Sequence, residues 1–345
     1  MYQVSQWLPH LKESGHRFVV VTRELNLFRP LANLCEDIPV LRIARLVDLE
    51  KIITNSTKGA LYVNPGMKNS HLLRLRDITH VQLGHGESDK LASAAKTMRA
   101  YDTIAVAGQA AIDRYQKAGI KMHESQFRII GRPQLSNLSK AEPNTPIRSI
   151  LYAPTWESPD SSNDYCSVRD FGIPILKFLT TEYPSIRIFV KLHPLTGSID
   201  TSLKNQVNEM QQLIAAANEL QLRTEDNSHQ FLDTTRKEPI KDFFEESDAM
   251  ICDISSVLGD FLGTLKPTFV CDVQNAGKVS LDEEYPTTRG SYIISSASNI
   301  ESVMNAAISK DTKLEDRLRT TEYIFGENME DPEKGFFTLL DEIAT

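Results

Sequence analysis

Four short polar clusters in this 345-residue chain carry side chains suited to handling a phosphate group. The first, Gly84-His85-Gly86-Glu87-Ser88-Asp89-Lys90, sets an imidazole between two glycines. Glycine lets the backbone approach a substrate closely and leaves the ring unshielded, and histidine is the side chain best matched to taking a proton from an alcohol near neutral pH. The second, Tyr152-Ala153-Pro154-Thr155-Trp156-Glu157, is an apolar run that stops at a proline and presents a hydroxyl. The third, Phe189-Val190-Lys191-Leu192-His193-Pro194, places a lysine and a histidine two residues apart, on one side of a strand, just before a proline that ends the ladder. A cation and an imidazole so placed suit a phosphate oxygen, or a leaving group that must be neutralised or protonated. In the fourth, Ala249-Met250-Ile251-Cys252 runs into Asp253-Ile254-Ser255-Ser256, and then Val257, Leu258, Phe261 and Leu262 recur at helical spacing. That is a strand feeding a helix, with hydroxyls and unpaired backbone N–H groups gathered where an anion binds. Each cluster also has a plainer reading: a serine helix cap, a turn histidine, a satisfied core histidine.

Such clusters act when they sit at the carboxyl ends of parallel strands, and the hydrophobic pattern supplies those strands. Strands are predicted at 18–21, 39–43, 59–63, 80–83, 103–107 and 127–130, with helices at 3–14, 47–53 and 109–117. Residues 134–148, with Pro143 and Pro146 among serines and asparagines, read as a linker. The rhythm then restarts with strands at 149–153, 186–190, 249–252 and 268–271, a weak edge at 231–233, and helices at 173–180, 202–220, 240–246 and after Ser256. Residues 298–345 are mostly helical in pattern. The alternation predicts an α/β protein of two doubly wound, Rossmann-like parallel-sheet domains, at 1–140 and 141–325, facing a central cleft. The final stretch, 326–345, is a helix able to cross back over the first domain. A doubly wound domain usually opens on a strand, whereas this chain opens on a helix, so the first strand is expected to lie upstream or to have been lost.

Two domains are also what this length leads one to expect. A composition of 41% hydrophobic and 24% charged residues is that of a soluble globular protein. There is no apolar run of about 18 residues and no basic-then-apolar start, which points to the cytoplasm. Cys35, Cys166, Cys252 and Cys271 are far apart and read as buried thiols in a reducing compartment. Residues 1–140 hold 20 Lys and Arg against 12 Asp and Glu, a net of +8, while residues 141–345 hold 18 against 34, a net of −16. An anionic partner is therefore expected at the first half, either a lipid surface or a phosphate-rich polymer, unless the charges are simply solvated faces. No nucleic-acid-binding motif is visible, and no nucleic-acid partner is expected.

In combination, Gly84-His85-Gly86 with Lys90, Tyr152-Ala-Pro-Thr-Trp156, Lys191-Leu-His-Pro194, and Ser247-Asp-x-x-Ile-x-Asp-x-Ser-Ser256 followed by Asp260-Phe261 resemble the CDP-glycerol glycerophosphotransferase family, in the family's order, from about residue 60 to 340. Those enzymes build the polyol-phosphate chains of teichoic acids and some capsules. The resemblance implies a GT-B-like fold whose second domain holds most of the nucleotide donor. It makes His85 the base that deprotonates the acceptor hydroxyl and His193 the group that binds or helps release the donor diphosphate. Ser255, Ser256 and Lys191 would hold the donor phosphates, and Gly84, Gly86, Lys90, Thr155 and Asp253 would complete the pocket. No metal and no cofactor beyond the CDP-polyol donor is implied. Two departures stand out: the family's Trp-His-Gly-Thr-Pro-Leu-Lys is Gly84-His-Gly-Glu-Ser-Asp-Lys90 here, making the acceptor side more polar and acidic, and its Asp-Tyr-Ser-Ser is Asp253-Ile-Ser-Ser256. The expected activity is transfer of a polyol phosphate, most simply glycerol phosphate, to a hydroxyl of a lipid-linked or polymeric acceptor with release of CMP, by a protein able to sit on the inner face of the cell membrane. The alternatives are a GT-B glycosyltransferase or UDP-sugar epimerase, and a non-catalytic nucleotide-binding or regulatory protein.

Overall fold

The computed structural model describes residues 2–86, 89, 94–143, 145–235, 238–326 and 331–345. The chain forms two compact units, one of Met1–Glu87, Leu91–Asn137 and Tyr323–Thr345, the other of Ser88–Lys90 and Leu138–Glu322.

The first unit contains strands β1 (Val20–Thr22), β2 (Val40–Arg42), β3 (Gly59–Tyr62), β4 (Thr79–Gln82), β5 (Thr103–Val106) and β6 (Phe127–Ile129). β3 to β6 make a four-stranded parallel sheet in sequence order, and β1 and β2 form a parallel pair of their own. Side-chain alternation sends β5 to two cores. Ile104 and Val106 join Tyr62, Ala111 and Tyr115, beneath the helix Gln109–Lys117. Ala105, between them, joins Val81, Trp7 and the Phe336, Leu339 and Leu340 stripe of the helix Lys334–Ala344. Gly335 permits that last approach, since a Cβ there would come within 2.8 Å of the Ile130 backbone.

Two local expectations change. Residues 3–14 form two helices, Tyr2–Ser5 and Leu8–Glu13, because the Pro9 ring cannot coexist with a helical carbonyl four residues earlier, at Ser5. Residues 25–35, to which the sequence pattern assigns no element, form the helix Leu25–Cys35 with Pro30 inside it and Leu31 and Cys35 buried one turn apart.

The second unit is a six-stranded parallel sheet of β7 (Ser149–Ala153), β8 (Arg187–Lys191), β9 (Gln230–Leu232), β10 (Ala249–Cys252), β11 (Thr268–Cys271) and β12 (Tyr292–Ile294). The strands lie in the order β12-β11-β10-β7-β8-β9, so the chain winds outward from β7, returns to β10 beside it, and winds outward the other way. β7, β10 and β11 are buried along their whole length, which explains why they read as unbroken apolar runs. One face packs Ile150, Tyr152, Ile188 and Ile251 under the helices Ile173–Glu182, Leu203–Leu220 and Ile300–Ser309. The aromatic pair Phe189–Phe243 joins β8 to the helix Ile240–Glu246, whose Phe244 meets Phe261 of the helix Ser256–Leu262.

Candidate active site

The reversal of strand order between β7 and β10 is the place where ligands bind in open α/β sheets, just beyond the strand carboxyl ends. Register puts Ala153 opposite Cys252 and Tyr152 opposite Val190, so β10, β7 and β8 finish side by side. Three of the four sequence clusters leave the sheet there: Thr155 after β7, His193 after β8, and Asp253, Ser255 and Ser256 after β10. Asp253 stitches two of these turns together. Its fully buried carboxylate accepts the N–H of Thr155 at 2.8 Å and that of Ser167 at 3.1 Å, so it shapes the turn. Burial, reinforced by the charge of Asp253, pushes the Tyr152 hydroxyl and the Cys166, Cys252 and Cys271 thiols up, leaving all four protonated at neutral pH. All four cysteines are buried and free.

Ser255 occupies the position just before the helix Ser256–Leu262 in an extended conformation, yet its hydroxyl does not cap that helix. Both serines are partly exposed, whereas Leu258, Phe261 and Leu262 behind them are fully buried and fix the helix. Ile254, which replaces the family's tyrosine, is a buried residue. Lys191 ends β8 with little exposure. His193 accepts the backbone N–H of Leu195 on Nδ1 at 3.1 Å, and its ring stacks on Trp156 with centroids 5.8 Å apart and planes 15° apart. An Nδ1 that accepts a hydrogen bond leaves the proton of the neutral ring on Nε2. His193 is thereby prepared as a donor.

His85 is prepared the other way. It lies in the first unit, beyond β4, where Gly84 takes a φ of +67 that favours glycine. Its Nδ1 stands 2.8 Å from the carbonyl of Val63. A carbonyl only accepts, so Nδ1 carries the proton and the neutral ring keeps a lone pair on Nε2. The side-chain nitrogen of Gln3 lies 3.4 Å from that Nε2. Trp7 donates to the Gly84 carbonyl and Gln6 to the His85 carbonyl, each at 3.0 Å, and Asn64 donates to Gln3 at 2.8 Å. Sequence reasoning does not find this clamp. Its one local signal is the placing of Gln3, Gln6 and Trp7 at helical spacing.

Glu87, Ser88 and Lys90 lie outside the described residues. Asp89 does not add acidity to an open pocket: it is buried in the second unit and accepts the N–H and hydroxyl of Thr287 at 2.8 and 2.6 Å. Among the described residues, no group of three His, Cys, Asp or Glu side chains is arranged to hold a metal ion, and no helix is long and apolar enough to cross a membrane.

Parallel α/β units, the second with a switch point lined by a lysine, a histidine and two serines, place the protein in the GT-B class. The fold is similar to that of the wall teichoic acid polymerase TagF in a variant soaked with CDPG, at a TM-score of 0.57 and 13% identity over 99% of this chain and 84% of that one. It is equally similar to UDP-GlcNAc 2-epimerase from Neisseria meningitidis bound to UDP-GlcNAc, at 0.58 and 13% identity over 98% and 96%. At such identities the likeness is one of fold. No curated protein sequence matches the chain. Residues 52–313 match the family of CDP-glycerol:poly(glycerophosphate) glycerophosphotransferases, and the chain belongs to that family.

Proposed function

We propose that the protein transfers glycerol phosphate, or a closely related polyol phosphate, from a CDP-activated donor to a hydroxyl of a lipid-linked or polymeric acceptor, releasing CMP. The observation that carries this reading is the grouping of Lys191, His193, Thr155, Ser255 and Ser256 at three neighbouring strand ends on the switch point, all within the family match. In the reaction, the acceptor oxygen attacks the β-phosphorus of the donor, the bond from that phosphorus to the bridging oxygen breaks, and CMP leaves with the electron pair. Nε2 of His85 takes the hydroxyl proton. His193, through Nε2–H, and Lys191 offset the charge growing on the leaving group, and the two serine hydroxyls hold the donor phosphates. Gly84, Gly86 and Lys90 belong to the acceptor side, Thr155 and Asp253 to the donor side. No cofactor takes part in this scheme.

The test is His85→Ala with CDP-glycerol and a lipid-linked acceptor. CMP release is expected to fall about 10²- to 10⁴-fold with folding intact, the usual worth of a general base; unchanged turnover would remove His85 from the mechanism. The likeness to the epimerase makes UDP-sugars the necessary control, and turnover of UDP-GlcNAc in place of CDP-glycerol would favour that second reading. Stabilisation by CDP-glycerol without CMP formation would instead indicate a binding protein. The basic first half supports a peripheral position on an anionic membrane face, checked by co-sedimentation with phosphatidylglycerol vesicles that is lost as salt rises.

A further inference from the structure

Glu157 is the most deeply buried carboxylate beside this site apart from Asp253, with 1% of its surface exposed. Oε2 accepts the N–H of Gly197 at 3.0 Å, and Oε1 accepts those of Ile199 at 2.9 Å and Asp200 at 3.2 Å. Burial alone would raise its carboxyl, but the N–H groups of Ile199, Gly197 and Asp200 outweigh that, and the group titrates below the ordinary glutamate range. The segment it grips is the loop that leaves His193. Two successive turns, Thr196 N–H to the His193 carbonyl and Ser198 N–H to the Leu195 carbonyl, each at 3.0 Å, run from His193 into the gripped residues. Leu195, inside those turns, is the residue whose N–H fixes Nδ1 of His193. The residue next to Glu157 is Trp156, whose ring is stacked on the same imidazole. Gly197 takes a φ of +77, and Arg169 reaches Asp200 at 3.2 Å, so the loop is held along its length.

We infer that Glu157 is a positioning residue for His193: by clamping residues 197–200 it keeps the Leu195 N–H on Nδ1 and therefore keeps the imidazole proton on Nε2, where it faces the donor diphosphate. Trp156 and Glu157 act as one unit, the ring setting the plane of His193 and the carboxylate setting its protonated edge. The inference rests on the donor role given to His193 above, but the proton position belongs to the loop itself.

Glu157→Gln keeps the volume of the side chain and turns one acceptor into a donor that opposes a backbone N–H. In ¹⁵N-labelled wild-type protein at pH 8, His193 should show the protonated Nε2 and hydrogen-bonded Nδ1 pattern, and in Glu157→Gln the pattern should collapse toward a mixture of tautomers. Turnover of CDP-glycerol should fall about 10- to 100-fold, the cost of a reacting group held about an ångström out of place. Because Glu157 acts through His193, adding Glu157→Gln to His193→Ala should cost less than about twofold more. A folded Glu157→Gln with an unchanged His193 pattern, or losses that multiply in the double variant, would overturn the inference. If Glu157→Gln fails to fold, Glu157→Asp, which keeps the charge but is too short to reach all three N–H groups, is read by the same spectrum against the same two outcomes. If wild-type protein releases no CMP from CDP-glycerol, the donor reading fails, and the spectrum still decides the role of Glu157.

Discussion

Which ring nitrogen of a neutral histidine carries the proton is set by its neighbours, and two backbone groups make that choice here. The Val63 carbonyl holds a proton on Nδ1 of His85, and the Leu195 N–H denies one to Nδ1 of His193. The His85 arrangement depends on an unusual backbone conformation next door. Gly84 sits in the left-handed region with nothing within 4 Å of where a Cβ would stand, so Gly84→Ala costs only backbone strain. A loss of about 1–2 kcal/mol is expected, seen as a lowered melting temperature together with reduced turnover, and Gly84→Asn should lose less because asparagine tolerates that region. An alanine variant as stable and active as wild type would show that the loop does not need this conformation. The strand-end positions of His85, His193 and the serines are legible in the sequence because glycine, proline and apolar-run cues are local. Trp7 and Gln3 are not, because they meet the His85 loop across separations of 77 and 82 residues that no periodicity encodes.

Among the elements, the edge strand β9 is tied in by a histidine that must stay neutral. His229 accepts the Ile188 N–H on Nδ1 and donates from Nε2 to Gln221, each at 3.1 Å. Burial, with the charges of Arg223 and Arg187, lowers its pKa to about 4. In the unfolded chain the ring takes up a proton below its ordinary value of about 6.5, whereas the folded ring resists it, so acidification between those values favours unfolding. The slope is about 1.4 kcal/mol per pH unit, or about 3 kcal/mol across the window. Denaturant melts from pH 7 to pH 4.5 should show this loss, and His229→Gln should flatten it; an equally steep loss in the variant would remove His229 as its source. The helix Lys334–Ala344 makes a second element-scale claim. Deleting it exposes Val81, Ala105 and Ile130, and the first unit should then lose cooperative unfolding and bind hydrophobic dye. Four strands of the second unit, β7, β8, β10 and β11, are legible nearly to the residue, because buried strands are plain apolar runs, whereas β9 shows only as a weak edge and the half-buried edge strand β12 is assigned no element by the sequence pattern. The helix Leu25–Cys35 is not, since Pro30 reads as a helix breaker while the buried face of Leu31 and Cys35 overrides it.

For the whole molecule, the alternation of strands and helices is enough to give two parallel α/β units and the GT-B class, while the strand order of the second sheet, which creates the switch point, emerges only in the fold. The order matters because it makes β10 the neighbour of β7, and so brings Asp253 to Thr155 across about a hundred residues of chain. Family membership over 52–313 spans both histidines. The central claim is that they serve one transfer reaction, with His85 as base and His193 as donor. It is tested most directly by CMP release from CDP-glycerol with and without a lipid-linked acceptor, for wild type, His85→Ala and His193→Ala. The account predicts acceptor-dependent CMP release by wild type that falls about 10²- to 10⁴-fold in His85→Ala and is also much reduced in His193→Ala, with folding intact in both. Acceptor-dependent release that continues at the wild-type rate in a folded His85→Ala or His193→Ala would contradict it.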